Sequence, residues 1–318
     1  MIRIALLLAT LTSCTICIAQ TYPSRAIRVI VPYSAGIGVD IVTRTVGRKL
    51  SERLGQPVVV DNRPGASGSI GINAVAKAAP DGYTLVMVVN TFVTNPALTT
   101  NAGYDPLTDF TPLALVGRNG MVLVIHPSLP ARSVKELIAY AGANPGKVDY
   151  ASVGVGSPQH LALEMIKHVF GVNMVHIPHK GSAEANLAVM TGQVGVMMMP
   201  VNIALAPVRA GRILALAVGS GAPLTDLPEV RPLAELGAPG FNVDVWYGLL
   251  APAGTPRAIA ELLHREVLQI LAMPDVRDTS AKLGITFDAM SAAEFAAHVR
   301  QDYARWQKLI KDAGIKAE

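Results

Sequence analysis

The chain predicts an α/β protein in two units, built from mostly parallel sheets covered by helices. Three observations carry this. From residue 27 onward, short apolar runs of strand length alternate with amphipathic runs of helical length, without repeats or low-complexity tracts. A β-α-β-α-β order of that kind gives parallel strands covered on both faces. The chain has 318 residues, 51% hydrophobic and 16% charged, enough to bury a sizeable core and more than one ordinary domain needs.

The elements follow in order. Arg3, the apolar run Ile4–Ile18 and the small-x-small triplet Cys17-Ile18-Ala19 read as a secretory leader cleaved near Ala19. The run is shorter than the roughly 20 residues of a membrane span. A competing reading is a lipobox, Leu11-Thr12-Ser13-Cys14, that would leave Cys14 acylated; continuation of the apolar run past Cys14 favours ordinary cleavage. Both cysteines lie in this leader, so the mature chain is expected to hold no disulfide. Ile27–Val31 is a buried strand, and Ser34–Asp40 is the loop after it. Val39, Val42, Val46, Leu50 and Leu54 recur at helical spacing, with Gly55 as the stop. Val58–Val60 is a strand, Gly65–Gly71 opens a helix that ends at Pro80-Asp81-Gly82, Thr84–Val89 is a strand, and Asn90–Pro96 reads as a polar loop.

A second series starts near Met121. Val122–Ile125 is a strand, and Ser133 with Glu136 forms a capping box that opens a helix to Ala143. Val148–Ser152 is a strand, followed by Ser157 as N-cap and Pro158 at the first helical position. Met174–Ile177, a helix over Ala183–Met190, Val194–Met199 and Ile213–Val218 complete the second unit. Trp246–Leu250 reads as a strand returning to the first unit, before helices over Pro256–Ala272 and Ser291–Ala313, the latter with a Ser291/Glu294 capping box. No flexible linker separates the halves, so the crossings near Leu115–Met121 and Gly237–Val245 read as a hinge. The expected division is residues 1–19 leader, 20–120 first lobe, 121–240 second lobe and 241–318 return to the first lobe.

A net charge of +4, +3 once a leader bearing Arg3 is removed, without any Lys/Arg block, excludes nucleic acid as a partner. His176-x-x-His179 lacks a third ligand and is no zinc motif. Gly65-Ala-Ser67-Gly68 lacks the dinucleotide spacing, and a P-loop and a G-x-S-x-G elbow are both absent. No cofactor or metal is expected. The strongest candidate site is the Ser34–Asp40 loop, preceded by Tyr33. It lies at the carboxyl end of a strand, where free N–H groups and a helix dipole receive anions without a cationic side chain. Gly36 or Gly38 must supply any left-handed geometry, since β-branched Ile37 cannot. The plain alternative is a strand-to-helix turn with Asp40 capping the helix. Asn90 and Thr91 follow the third strand, and Gly156, Ser157 and His160 open a helix in the second unit. His179, Gly181 and Ser182 follow another strand there.

Several segments stand together in one order: Tyr22-Pro-Ser-Arg, Asp61-Asn-Arg-Pro-Gly, Pro80-Asp-Gly-Tyr-Thr, Tyr150-Ala-Ser-Val-Gly, His176-Ile-Pro-His-Lys-Gly-Ser, Gly192-Gln193-Val194 and Trp246-Tyr-Gly-Leu-Leu-Ala-Pro. In this the chain resembles the periplasmic receptors of the tripartite tricarboxylate transporters, the Bug receptors, over nearly its whole length. The resemblance implies a type II periplasmic-binding-protein fold, with two α/β lobes and a ligand cleft between them. It also implies a monomeric, non-catalytic receptor in the periplasm that captures a small organic carboxylate for membrane permease subunits. Gly36-Ile37 departs from the adjacent glycines of many relatives, and His179 stands where tyrosine is common. The resemblance places Phe92, Met199 and Trp246 at the cleft edge, with Met199 where relatives often carry an acid. That predicts a monocarboxylate, or a carboxylate with an apolar or aromatic body, over aspartate, glutamate and citrate. The rival is a secreted hydrolase or transferase using Ser157 and His160, for which no acid partner is apparent.

Overall fold

The computed structural model describes residues 22–99, 101–287 and 290–315. The expected leader, its expected cleavage site and both cysteines lie outside the described residues.

Strand β1 (Ile27–Val31) lies between β2 (Val58–Asn62) and β3 (Thr84–Val88), parallel to both. Next to β3 runs β9 (Asp244–Pro252), and next to β9 the 16-residue strand β4 (Phe110–Ile125). Through Gly120, β4 pairs with β9; from Met121 to Ile125 it pairs with β7 (Val196–Pro200) and β8 (Leu214–Val218). Beyond β7 lie β5 (Asp149–Ser152) and β6 (Val175–Pro178), parallel to one another, with β5 also parallel to β7. The short β10 (Ile285–Thr286) adds to β4 at Arg118 and Asn119. The parallel arrangement therefore holds within β2-β1-β3 and within β6-β5-β7. Every antiparallel pair involves β4 or β9, the strands that carry the chain between these groups, and the sheet as a whole is mixed.

Ten α-helices are described. Helix α1 (Gly38–Leu54) ends on Gly55 at φ +67°, a left-handed turn that glycine adopts without strain. Its residues Val39, Val42, Val46 and Leu50 pack on β1. Helix α2 is Ser69–Ala76 and α3 is Thr91–Leu98. The polar loop expected at Asn90–Pro96 is thus a helix. Phe92 and Val93 are fully buried, so burial overrides the polar composition. Pro96 offers no N–H to the carbonyl of Phe92, and the Tyr104 hydroxyl donates to that carbonyl instead, at 3.0 Å.

Helix α4 (Val134–Ala143) carries half of its expected capping box. Ser133 Oγ accepts from the N–H of Glu136, while the Glu136 carboxylate reaches the N–H of Arg132. Helices α5 (Pro158–Phe170), α6 (Ser182–Met190) and α7 (Val201–Arg209) follow β5, β6 and β7. The C-terminal part holds α8 (Arg257–Leu271), α9 (Pro274–Lys282) and α10 (Ala292–Asp312), the last with both bonds of its Ser291/Glu294 box. Helices α7 and α9 were not expected from the sequence.

Candidate functional site

A cavity of about 580 Å³ opens between the two strand groups. From the first group come Tyr33, the Gly36–Val39 stretch, Ile41, Ser67 and Thr91. The second group supplies Val153, Val155, the Ser157–Gln159 turn, Ser182, Asn186 and Asn202. The crossing strands add Asn119, Val245 and Tyr247.

Four helices begin on this cavity: Gly38 and Val39 open α1, Pro158 and Gln159 open α5, Ser182 and Ala183 open α6, and Asn202 and Ile203 lie in the first turn of α7. The N–H groups at a helix start have no partner inside the helix, and the dipole makes that end partially positive. Among the described residues, no hydrogen bond uses the N–H of Gly38, Val39, Ser182 or Ala183. No Asp, Glu, Lys, Arg or His of the described residues lines the cavity. Its two tyrosines stay protonated, because burial pushes Tyr33 and Tyr247 up to about 12. The wall is mainly apolar, with Ile37, Ile41, Val153, Val155, Ile203 and Val245 among its residues. An anion would be met here by neutral donors alone.

Asp40 holds the first loop in shape. At Gly36 the backbone turns left-handed (φ +83°), and its N–H donates to Asp40 Oδ2 at 2.8 Å. Asn62 Nδ2 donates to Asp40 Oδ1 at 2.9 Å, and Arg44 contacts both carboxylate oxygens at 3.0 and 3.1 Å. Burial works to raise the Asp40 pKa, but these hydrogen bonds outweigh it and hold the carboxyl below its usual range. Asn62 also donates to the Tyr33 carbonyl at 3.1 Å, which ties β2 to the same loop. The Tyr33 hydroxyl bonds Thr91 Oγ1 at 2.6 Å and packs against Gly68, where a Cβ would meet the ring at 3.1 Å.

The second loop is built likewise. Ser157 Oγ donates to the Gly154 carbonyl at 2.6 Å and accepts from the N–H of His160 at 3.3 Å. The His160 ring accepts from the N–H of Gly156 at 3.2 Å, and burial lowers the pKa of that imidazole. Contact between the two groups runs through this loop: Thr94 Oγ1 donates to the Gly156 carbonyl at 2.9 Å.

Of the residues singled out in sequence, Tyr33, Gly36, Gly38, Thr91, Ser157 and Ser182 line the cavity. Ser34, Asp40, Asn90, Gly156, His160, His179 and Gly181 do not. Asp40, Gly156 and His160 support the loops just described. Asn90 donates to the Asp244 carbonyl at 3.1 Å and accepts from the N–H of Trp246 at 3.2 Å, tying α3 to β9. His179 Nδ1 faces Glu184 at 3.6 Å, while Ser34 is exposed. Three placements are corrected. Met199 is fully buried where β7 pairs with Val122 of β4. Trp246 is fully buried, its Nε1 donating to Asp302 at 2.8 Å and its ring edge-on to Phe295. Phe92 is buried against Tyr104 and Phe110. None of the three is a cleft-edge residue.

Sequence reasoning missed Asn119, Gln159, Asn186, Asn202 and Tyr247. Gln159 was within reach, since it directly follows the Ser157-Pro158 helix start. Asn119 and Tyr247 are brought together only by the pairing of β4 with β9 and carried no local signal.

The sequence profile described as tripartite tricarboxylate transporter family receptor matches residues 42–315. A UPF0065 protein from the tcbD-tcbE intergenic region of Pseudomonas sp. (strain P51) is 36% identical over 299 residues, covering 94% of this chain and 89% of its own. Among solved structures, R. palustris Rpa4515 with adipate superposes with TM-score 0.82 at 34% identity, over 93% of this chain and 99% of its own. The periplasmic binding protein BugD gives 0.81 at 34%, over 93% and 100%. These likenesses bear out the two-lobed periplasmic-binding-protein architecture that the motifs imply.

Proposed function

Because the chain belongs to the tripartite tricarboxylate transporter receptor family, we propose that it is a periplasmic receptor that closes on a small organic carboxylate and hands it to membrane permease subunits. The observation that carries this is the convergence of four helix starts on a cavity that no charged side chain of the described residues lines. Oriented N–H groups there replace the water of a carboxylate without an induced charge or a rearrangement. The lobes are taken as 20–120 with 241–318, and 121–240. Closure about strands β4 and β9 would draw the Gly36–Val39 donors toward Ser157 and Ser182, and a ligand that touches both lobes favours the closed state. Export requires removal of the leader near Ala19, leaving a soluble chain.

The hydrolase reading loses its support at Ser157. The hydroxyl is engaged with backbone groups, and the ring of His160 faces Gly156 rather than Ser157 Oγ. A thermal-shift screen of organic acids on the exported chain at pH 7 tests the proposal. A true ligand at 100 times its Kd adds about 2.7 kcal/mol and a clear rise in Tm. A flat response to every carboxylate, or turnover of a bound one, would overturn it.

A further inference from the structure

We infer that the ligand of this cavity carries, besides its carboxylate, an uncharged hydrogen-bond donor (a hydroxyl or an amide N–H) that meets Oδ1 of Asn119. The inference rests on the carboxylate reading above and specifies the rest of the ligand.

Asn119 lines the cavity from β4 and is 5% exposed. Its Nδ2 donates to the backbone carbonyl of Leu283 at 3.1 Å and to Asn202 Oδ1 at 3.2 Å. A carbonyl can only accept, so the amide cannot turn over to exchange its nitrogen and oxygen. The oxygen is buried and accepts no hydrogen bond among the described residues, although the Tyr247 hydroxyl lies against the same amide. Buried polar atoms are almost always paired, and a solitary one is costly enough to need a reason. A donor supplied by the ligand is that reason.

Two other amide oxygens on the wall, Gln159 Oε1 and Asn186 Oδ1, are also buried without a partner. Among the described residues no carbonyl pins their amide nitrogens, so either group can rotate to face a donor or an acceptor. Asn119 alone dictates the sign of what it meets. A second carboxylate would set its lone pairs against that oxygen. An ammonium would donate, but it would bury a positive charge in a lining to which the described residues contribute no carboxylate. Asp40 cannot serve, being engaged by Gly36, Asn62 and Arg44. The remaining class is a monocarboxylate whose apolar body lies along Ile37, Val153, Val155 and Ile203 and carries a hydroxyl or amide N–H.

Calorimetry on the exported chain with matched acids tests this: hexanoate, 6-hydroxyhexanoate, adipate and 6-aminohexanoate, then benzoate with 3- and 4-hydroxybenzoate. The best hydroxy acid should bind at least tenfold tighter than its unsubstituted parent, and in the aliphatic set tighter than the dicarboxylate and the amino acid. Asn119→Ala should remove that advantage while a melting curve shows it folded. The wild-type comparison stands even if this variant does not fold. If acids bind and the hydroxyl makes no difference, or adipate or 6-aminohexanoate binds best, the inference falls and the carboxylate reading stands. A hydroxyl advantage that survives in folded Asn119→Ala removes the assignment to Asn119. Absence of binding by every acid fells the carboxylate reading and this inference with it.

Discussion

Replacing Asp40 with alanine should loosen the Gly36–Val39 loop and cost about 2–3 kcal/mol of stability. The magnitude follows from what the carboxylate holds. It accepts from Gly36 N–H at 2.8 Å and from Asn62 Nδ2 at 2.9 Å, and it pairs with Arg44 at 3.0 Å. Net hydrogen bonds to a charged group are worth roughly 1.5–3 kcal/mol each, but a freed partner that reaches water recovers most of its loss. Gly36 is exposed and the Arg44 side chain is 50% exposed, so both rehydrate. Asn62 keeps its bonds to Tyr33 and Arg44 but loses an acceptor in a half-buried place. One full bond and fractions of two others therefore set the total. Asp40→Asn retains an acceptor oxygen and should cost about half as much.

The pH dependence has a definite sign. The folded pKa of Asp40 lies below its unfolded value, near 3.9, so the native state favours the ionised form. Its contribution is fully present above that unfolded value and is lost as pH falls through the lower folded one. Urea titrations should show a constant gap between wild type and Asp40→Ala from pH 7 to about pH 4, shrinking in stronger acid. In calorimetry, the ligand found by the screen should bind Asp40→Ala about tenfold more weakly, because the loop is no longer preorganised. Equal stability at pH 7 together with unchanged affinity would refute the assignment of Asp40 as the brace of this loop.

Gly36→Val puts a β-branched side chain at φ +83° with open space around its Cβ, so the penalty is backbone strain of about 1–3 kcal/mol rather than a clash. Weakened binding in a folded variant, read by calorimetry and circular dichroism, is the expected outcome. Asp302→Ala strips the acceptor from buried Trp246 Nε1 and unpairs Arg305, which should cost roughly 3–5 kcal/mol in urea unfolding. Tyr104→Phe leaves the Phe92 carbonyl without the donor that replaces the missing N–H of Pro96, for a loss of about 1–3 kcal/mol. Pro96→Ala in the Tyr104→Phe background should recover part of that loss.

Much of the fold was legible because its signals are local. A run such as Ile27–Val31, a stop at Gly55, a cap at Ser157 ahead of Pro158 and a capping box at Ser291 and Glu294 each act over a few residues, and each stands in the structure where its chemistry places it. The same locality makes two of the cavity loops readable, since a strand, a turn and a helix start are neighbours in sequence. What lines the cavity from elsewhere was not readable. Met199 belongs to a strand buried on both faces, where Met197, Met198 and Met199 are all apolar and no alternation tells one side from the other. Trp246 and Tyr247 are adjacent on β9, yet one turns to the core and Asp302 while the other faces the cavity. Helix α3 formed through a polar, proline-bearing stretch because Phe92 and Val93 had a core to enter. The sequence by itself determined the alternation of elements and the helix starts, whose causes are covalent geometry, capping and hydrophobic period. Tertiary structure alone decided the facing of the doubly buried strands. It also placed Asn119 of β4 near Tyr247 of β9, because that proximity depends on the pairing of strands more than a hundred residues apart.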